Sequence, residues 1–505
     1  MLSARRESRI VRALASVLAA LAMVVAVAAC GSSFNRSTAD PAAAVPASVP
    51  IYASVQVPDS GQLSRLHAIV TQLGGSGAWS TLGAHLDRML AGHQVNINRD
   101  IAPWIGSSVA VAAMPDPSGA ATGHMFHPVL ILPTNDMSAA ITFVKRVIAK
   151  APKLTYHRDG ADLLVGDLSG INAILQGSGS LAGSPGFAAT EHGVAGDQAQ
   201  VYVNVHDLVG VARRYLSRQH SPAAQRLLTK LGALPADAAI ALGAGVTSAK
   251  TLAVDISSHA LPGSGASGTG ASVASLPADS IVAAAVDLTS HPSAIEISQL
   301  LAHIDAHAAA HLGHGAKLAR FEGQAMSALD ALRALGPLRL SLGGSSLLTL
   351  HGGLTMTSPS PAAAASLVAE LYGLARAGTR HGSPLSLTGN ATGFSVGAGP
   401  FQVHVSDRAG KILALVNQPS AGGLFHSSST LGATPAYKAA LAQLPAGTTS
   451  VPVYVSFARL SALLSFFAAS AHGHRAQQAM RLLTQLNYLI VGSAPTDTRI
   501  VLGLK

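Results

Sequence analysis

Residues 45–57, VPASVPIYASVQV, return at 276–288 as LPADSIVAAAVDL. Four further stretches return in the same order. Ile105-Gly106 before an apolar run reappears as Leu335-Gly336. Ser180-Leu181 with Ser184-Pro185-x-Phe187 reappears as Thr430-Leu431 with Thr434-Pro435-x-Tyr437. Val201–Val205 with Leu208 reappears as Val453–Phe457 with Leu460, and Leu252–Ile256 as Ile500–Leu504. The separation grows slowly, from about 230 to about 250 residues. A fold for this chain therefore has to serve twice. Between the copies lies HALPGSGASGTGA, a Gly/Ser-rich stretch with the composition of a linker.

Each half reads the same way. A strand follows Pro-Ala, then apolar residues at steps of three and four predict helices: Leu63, Leu66, Val70 and Leu73, then Leu82, Leu86 and Leu90. Leu301, Ile304, Ala308 and Leu312, followed by Leu318, Phe321, Ala325, Leu329 and Leu332, do so in the second half. Two strands come next, at 108–113 and 129–132, mirrored at 338–342 and 347–355. A helix through Ala140, Ile141, Val144, Val147 and Ile148 matches one through Leu367, Leu371 and Leu374. Hairpin turns are expected at Asp159-Gly160 and at Thr392-Gly393. Runs of adjacent strands interrupted by helices predict α+β architecture: two tandem pseudo-repeated domains, 45–258 and 276–505, each a largely antiparallel sheet with packed helices, joined by a linker at 259–275.

The N-terminus has another character. Arg5, Arg6, Arg9 and Arg12 precede an uncharged run, 13–29, that ends in small residues before Cys30. A basic start, an apolar stretch and a small-residue cut site describe a secretory signal peptide, here 1–29 with cleavage between Ala29 and Cys30. AVAACGSS resembles a bacterial lipobox, which implies acylation of the Cys30 thiol. The alternative is an uncleaved membrane-anchor helix with an incidental cysteine, since 17 residues is near the lower limit of a span. Residues 31–44, polar, small and Pro-bearing, read with Cys30 as a flexible tether over 30–44. Cys30 is the only cysteine, so disulfides, Cys-based zinc sites and thiol catalysis in the body of the protein are excluded.

Only 11% of residues are charged and 4% aromatic. The formal charge is +9; setting aside the four arginines and Glu7 of the leader leaves about +6 on the remainder. That weak bias suits an anionic membrane surface or wall polymer. With no Lys/Arg run and no basic strip interleaved with aromatics, nucleic acid is not an expected partner. After Cys30 no apolar run reaches the length of a second span.

Three features together, Asp100-Ile-Ala-Pro103-Trp104-Ile-Gly106 before a strand, the Pro-Ala-x-x-x-x-Tyr-Ala-Ser-Val opening and Ser-Pro-x-Phe-x-Ala before Val-Tyr-Val-x-Val, resemble a family of bacterial proteins built on a domain of unknown function. That family is common in actinobacteria and related phyla, often as secreted lipoproteins, and the resemblance spans about 45–505. Its motifs are strand edges and turns, so it implies fold more than chemistry and offers no assigned catalytic residues to transfer. The second half lacks the Pro-Trp pair; Gly336-Pro337 stands there instead.

His303, His307 and His311 follow each other at steps of four, which places three imidazoles on one helical face, with Glu296 on the same face. Such a ridge can chelate zinc, copper or nickel, and it can equally be a polar helix flank. His-Glu-x-x-His and Gly-x-Ser-x-Gly are absent. The P-loop pattern is missing, and the one Gly-x-Gly-x-x-Gly, 263–268, sits in the linker with no strand before it. Pro103-Trp104, with Asp100 bracing the turn, reads as a packing anchor or a stacking ring; Tyr202 and Tyr454 read as sheet braces. The functional expectation is a membrane-anchored extracytoplasmic lipoprotein, held at the cytoplasmic membrane by its lipid and without a required cofactor. It is read as a non-enzymatic binding protein for an apolar ligand, a lipid, or an envelope component. The alternatives are a protein-interaction factor of envelope assembly and a metal protein or enzyme using the His ridge.

Overall fold

A computed structural model describes residues 39–81, 83–84, 97–117, 125–149, 151–217, 234–261, 272–287, 337–346, 349–358, 360–379, 386–398, 401–408, 410–418, 425, 428–468 and 474–505. The chain is α+β and divides into two compact units, whose described parts are 39–261 and 272–505.

The described residues of the first unit form eight strands: β1 Ile51–Gln56, β2 Ser108–Pro115, β3 Phe126–Pro133, β4 Thr155–Asp159, β5 Asp162–Gly166, β6 Ala199–Asn204, β7 Ala239–Ser248 and β8 Thr251–His259. They pair antiparallel throughout in the order β8-β7-β6-β1-β2-β3-β5-β4. Its helices are α1 Ser60–Gly74, the single turn α2 Ile97–Asp100, α3 Met137–Ile148, α4 Leu168–Leu175, α5 Pro185–Val194 and α6 Val205–Ser217. Sequence sets their starts. Asp59 and Gln62 form a reciprocal capping box on α1, with bonds of 2.7 and 3.0 Å. Asp136 caps α3 and Asp167 caps α4. Ser184 caps α5, whose first residue is Pro185, a position where the missing N–H costs nothing.

The described residues of the second unit form ten strands: β9 Ser280–Asp287, β10 Pro337–Gly343, β11 His351–Thr357, β12 Ser386–Asn390, β13 Gly393–Ala398, β14 Phe401–Arg408, β15 Lys411–Val416, β16 Ser450–Ser456, β17 Leu486–Ser493 and β18 Asp497–Leu504. Their order is β18-β17-β16-β9-β10-β11-β15-β14-β13-β12, again antiparallel at every pairing. Its described helices are α7 Pro361–Gly378, α8 Pro435–Leu441, α9 Phe457–Ala468 and α10 His474–Gln485. Ser360 and Thr434 cap α7 and α8, each followed by proline.

Several expectations need correction. The tether read over 30–44 is too long: Pro41–Ala44 form a 3-10 turn capped by Asp40, and Ala42 is fully buried in the first core. The linker read over 259–275 is folded at both ends. His259 closes β8, Leu261 is buried, and Val273–Ser275 form a 3-10 turn with Val273 fully buried. The strand read over 347–355 begins at His351. On α1 the buried residues are Leu63 and Ile69, while Leu66, Val70 and Leu73 are half-exposed. Val147 of α3, read as core, is exposed; Ala140 and Val144 supply the buried stripe.

Candidate functional site

The side chains singled out for metal binding, Glu296, His303, His307 and His311, lie outside the described residues, as do Ala29 and Cys30. Among the described residues no group of His, Cys, Asp and Glu has the arrangement of a metal site. Trp104 is a packing anchor. It is 3% exposed, stacks at a tilt on Phe143 at 5.5 Å, and donates its indole N–H to the Asp100 carbonyl at 2.6 Å. The Asp100 carboxylate pairs with Arg99 at 3.1 Å and Arg146 at 3.3 Å, which ties the turn to α3. Tyr202 and Tyr454 brace their sheets through edge-on ring contacts, Tyr202 with Phe187 at 5.1 Å and Tyr454 with Tyr437 at 5.4 Å. Burial pushes the Tyr202 hydroxyl up to about 12, against a smaller opposing effect of its bond to Ser184. All six rings are structural.

Two surfaces remain that sequence reasoning did not find. The first is a face of the first unit's sheet. Its inner face buries Tyr52, Ala112, Val129, Leu164, Tyr202 and Ala239 in one core. The opposite face is apolar as well. Reading across the ladder, Ile256 faces Leu242, Leu242 faces Val201, Val201 faces Ala53, and Ala53 faces Val111. The next row is Val254, Ala244, Ala199, Val55 and Val109. An antiparallel sheet commonly turns polar residues outward on an uncovered side; here successive rows are aliphatic, and over β2, β3 and β5 the face is covered by α3 and the Trp104 turn, which bury Val109, Leu132 and Leu163. Leu242 and Val254 are 39% and 40% exposed, and most of the first row is half-buried.

The second surface is a cleft of about 470 Å³ in the second unit, lined by Asp279, Gly344, Ser345, Thr349, His351, Arg459 and Ala462. Arg459, on the first turn of α9, donates Nη1 to the carbonyls on either side of Asp279, Ala278 at 2.8 Å and Ser280 at 3.3 Å. The Asp279 carboxylate meets His351 Nε2 at 3.0 Å, and His351 Nδ1 donates to the Thr349 carbonyl at 2.8 Å. Both ring nitrogens thus face acceptors.

His127 in the first unit has a comparable setting. Its Nδ1 meets Asp167 at 2.7 Å and its Nε2 meets Asp116 at 3.5 Å. The Asp116 side chain is 2% exposed.

Residues 11–159 match the model of a family described as a protein of unknown function, DUF3352. The match takes in the opening of the first repeat and the Pro103-Trp104 turn and ends with β4. No curated protein and no solved structure matches the chain. No described helix is long and apolar enough to cross a membrane.

Proposed function

We propose that this chain is an extracytoplasmic lipoprotein, anchored through an acylated Cys30 to the outer face of the cytoplasmic membrane. In this reading it acts without catalysis, as a binding protein for the acyl chains of an amphiphile. The observation that carries the reading is the aliphatic outer face of the first sheet. A ligand of methylene groups gains about 0.8 kcal/mol for each CH₂ it buries, and the strongest face for that gain lies at β6, β7 and β8. The tether supplies the occupant. Residues 31–39 reach at most about 30 Å when fully extended, so the first unit stays within reach of bilayer lipid.

The two units are read as products of one duplication. The order β8-β7-β6-β1-β2-β3 has a counterpart in β18-β17-β16-β9-β10-β11. Leu181 N–H bonds the Val45 carbonyl at 2.7 Å, and Leu431 N–H bonds the Leu276 carbonyl at the same distance. The test has two arms. Native mass spectrometry of the full chain, extracted from its own membrane, is expected to find acyl-bearing ligand, and Leu242→Asp with Val254→Asp to lose it. Membrane fractionation of Cys30→Ser is expected to find the unprocessed precursor. Wild-type protein free of acyl ligand overturns the binding role; a normally cleaved Cys30→Ser chain overturns the anchor.

A further inference from the structure

We infer that the cleft of the second unit is a separate binding site for a phosphate-type oxyanion, either free or carried as a monoester headgroup. The chemistry rests on how Arg459 is used. Its Nη1 is occupied by two backbone carbonyls, which fixes the guanidinium plane against the 278–280 segment. Among the described residues the Nε and Nη2 N–H groups have no partner. These two donors form the side of the guanidinium that takes an oxyanion with two parallel bonds. A pinned fork loses less side-chain freedom on binding than a free arginine does.

The rest of the cleft suits the same ligand. His351 lines the cleft with its ring held between the Thr349 carbonyl and Asp279. Asp279 is the one acid of the lining, and its Oδ2 is already engaged by that histidine. Ser345 and Thr349 line the cleft, their hydroxyls 3.3 Å apart. Gly344, at φ 121°, lies so close to Thr349 and Leu350 that a side chain would not fit, and its small size leaves the loop folded tightly over β10 and β11. The volume lies within the range of small-molecule pockets, about 300–1,000 Å³. This site involves none of the residues of the aliphatic face, so the two readings stand or fall apart.

The test is calorimetric titration of the full chain in detergent with inorganic phosphate, with sn-glycerol 3-phosphate and with acetate. Saturable binding of a phosphate, weakening as sodium chloride rises, is expected. Arg459→Lys keeps the charge and removes the fork, and is expected to weaken binding at least about tenfold. Because that substitution also gives up bonds to the 278–280 segment, Ala462→Glu supplies a second variant. It puts a carboxylate into the lining from an exposed position of α9 and is expected to abolish binding with an unchanged melting temperature. Tighter binding of the glycerol ester than of phosphate assigns the site to a headgroup; the reverse assigns it to the free ion. No saturable phosphate binding, or an affinity that both variants leave unchanged, overturns the proposal.

Discussion

His127 and His351 hold the same place in two ladders and live in different surroundings. Ile51 faces Ala113, which faces Pro128, one residue after His127; Val282 faces Leu342, which faces Gly352, one residue after His351. In the first unit the histidine, 19% exposed, is held between two carboxylates, one of which caps α4. In the second it is 38% exposed, and its acid, Asp279, precedes β9. No described helix of the second unit stands where α4 stands in the first. A shared strand position therefore fixes where a side chain emerges, while the surrounding loops decide whether it is structural glue or the wall of a cleft. His127→Ala should accordingly lower stability by about 2–3 kcal/mol, because it takes away a partner that two carboxylates share, one of them sealed from water. His351→Ala should lower it by less than about 1 kcal/mol. Both tryptophans, Trp79 and Trp104, belong to the first unit, so tryptophan fluorescence in urea reads His127. Hydrogen exchange of β11 reads His351. Equal losses would break the comparison.

The glycines of β7 and β17 sharpen it next. Gly243 and Gly492 are equivalent by register: each lies two residues beyond the partner of a sheet tyrosine, Ala241 opposite Tyr202 and Ile490 opposite Tyr454. A Cβ on Gly243 would overlap the Asp197 carboxylate and lie 2.9 Å from Val194. On Gly492 it would meet the ends of Leu444 at 2.6 and 3.0 Å. A leucine tip can rotate away; a buried acid fixed at a turn cannot. Gly243→Ala is expected to cost about 2 kcal/mol and Gly492→Ala about half that, measured by urea unfolding.

A third difference concerns pH. Asp162, 9% exposed with an unpartnered Oδ1, faces Asp159 across the β4–β5 turn. Burial pushes its carboxyl up to about 6, with Asp159 and Asp40 adding repulsion. The corresponding turn of the second unit is flanked by Arg408 and Lys411. A carboxyl raised in the folded state binds its proton more tightly folded than unfolded. Its contribution thus falls as pH climbs from about 4 to about 6 and stays low above that. Asp162→Asn should raise stability by about 1–2 kcal/mol at pH 7, and the gain should vanish below about pH 4. A gain independent of pH would sink this account.

Local signals are legible in the sequence. The cores of β2, β3 and β10, the Val-Tyr-Val strands and the Ser-Pro and Thr-Pro helix starts all announce themselves within a few residues. Register and partnership do not. Matching Thr392-Gly393 with Asp159-Gly160 is wrong, because β5 lies beside β3 as β15 lies beside β11, so the counterpart of Gly160, φ 57°, is Gly410, φ 77°. The hairpin β12–β13 has no counterpart among the described strands of the first unit. The match of the last strands is also slipped. Ile256 faces Leu242 as Ile500 faces Val491, so Ile256 answers to Ile500 and not to Leu504. Alternating strands repeat every second residue, and an even slip leaves every side chain on its proper face. The His127 cluster and the cleft are invisible in sequence because their members come from separate elements. The aliphatic face is hidden because each row takes one residue from each strand.

The smallest effect tests the part of the comparison that should not differ. Ser184 accepts the Phe187 N–H at 3.4 Å and Thr434 accepts the Tyr437 N–H at 3.3 Å. Each cap is followed by proline, and each helix then presents a ring to the sheet tyrosine beside it. Cap, proline and ring recur together, so the energetics should recur with them. Ser184→Ala and Thr434→Ala are each expected to cost about 1 kcal/mol, the ordinary cost of one lost N-cap. The readout is exchange of the amides at Phe187 and Tyr437, which lose their acceptor directly. A cost several times larger in one unit would mean that the two helix starts, alike in sequence and geometry, carry different loads, and the duplication would then describe topology without describing packing.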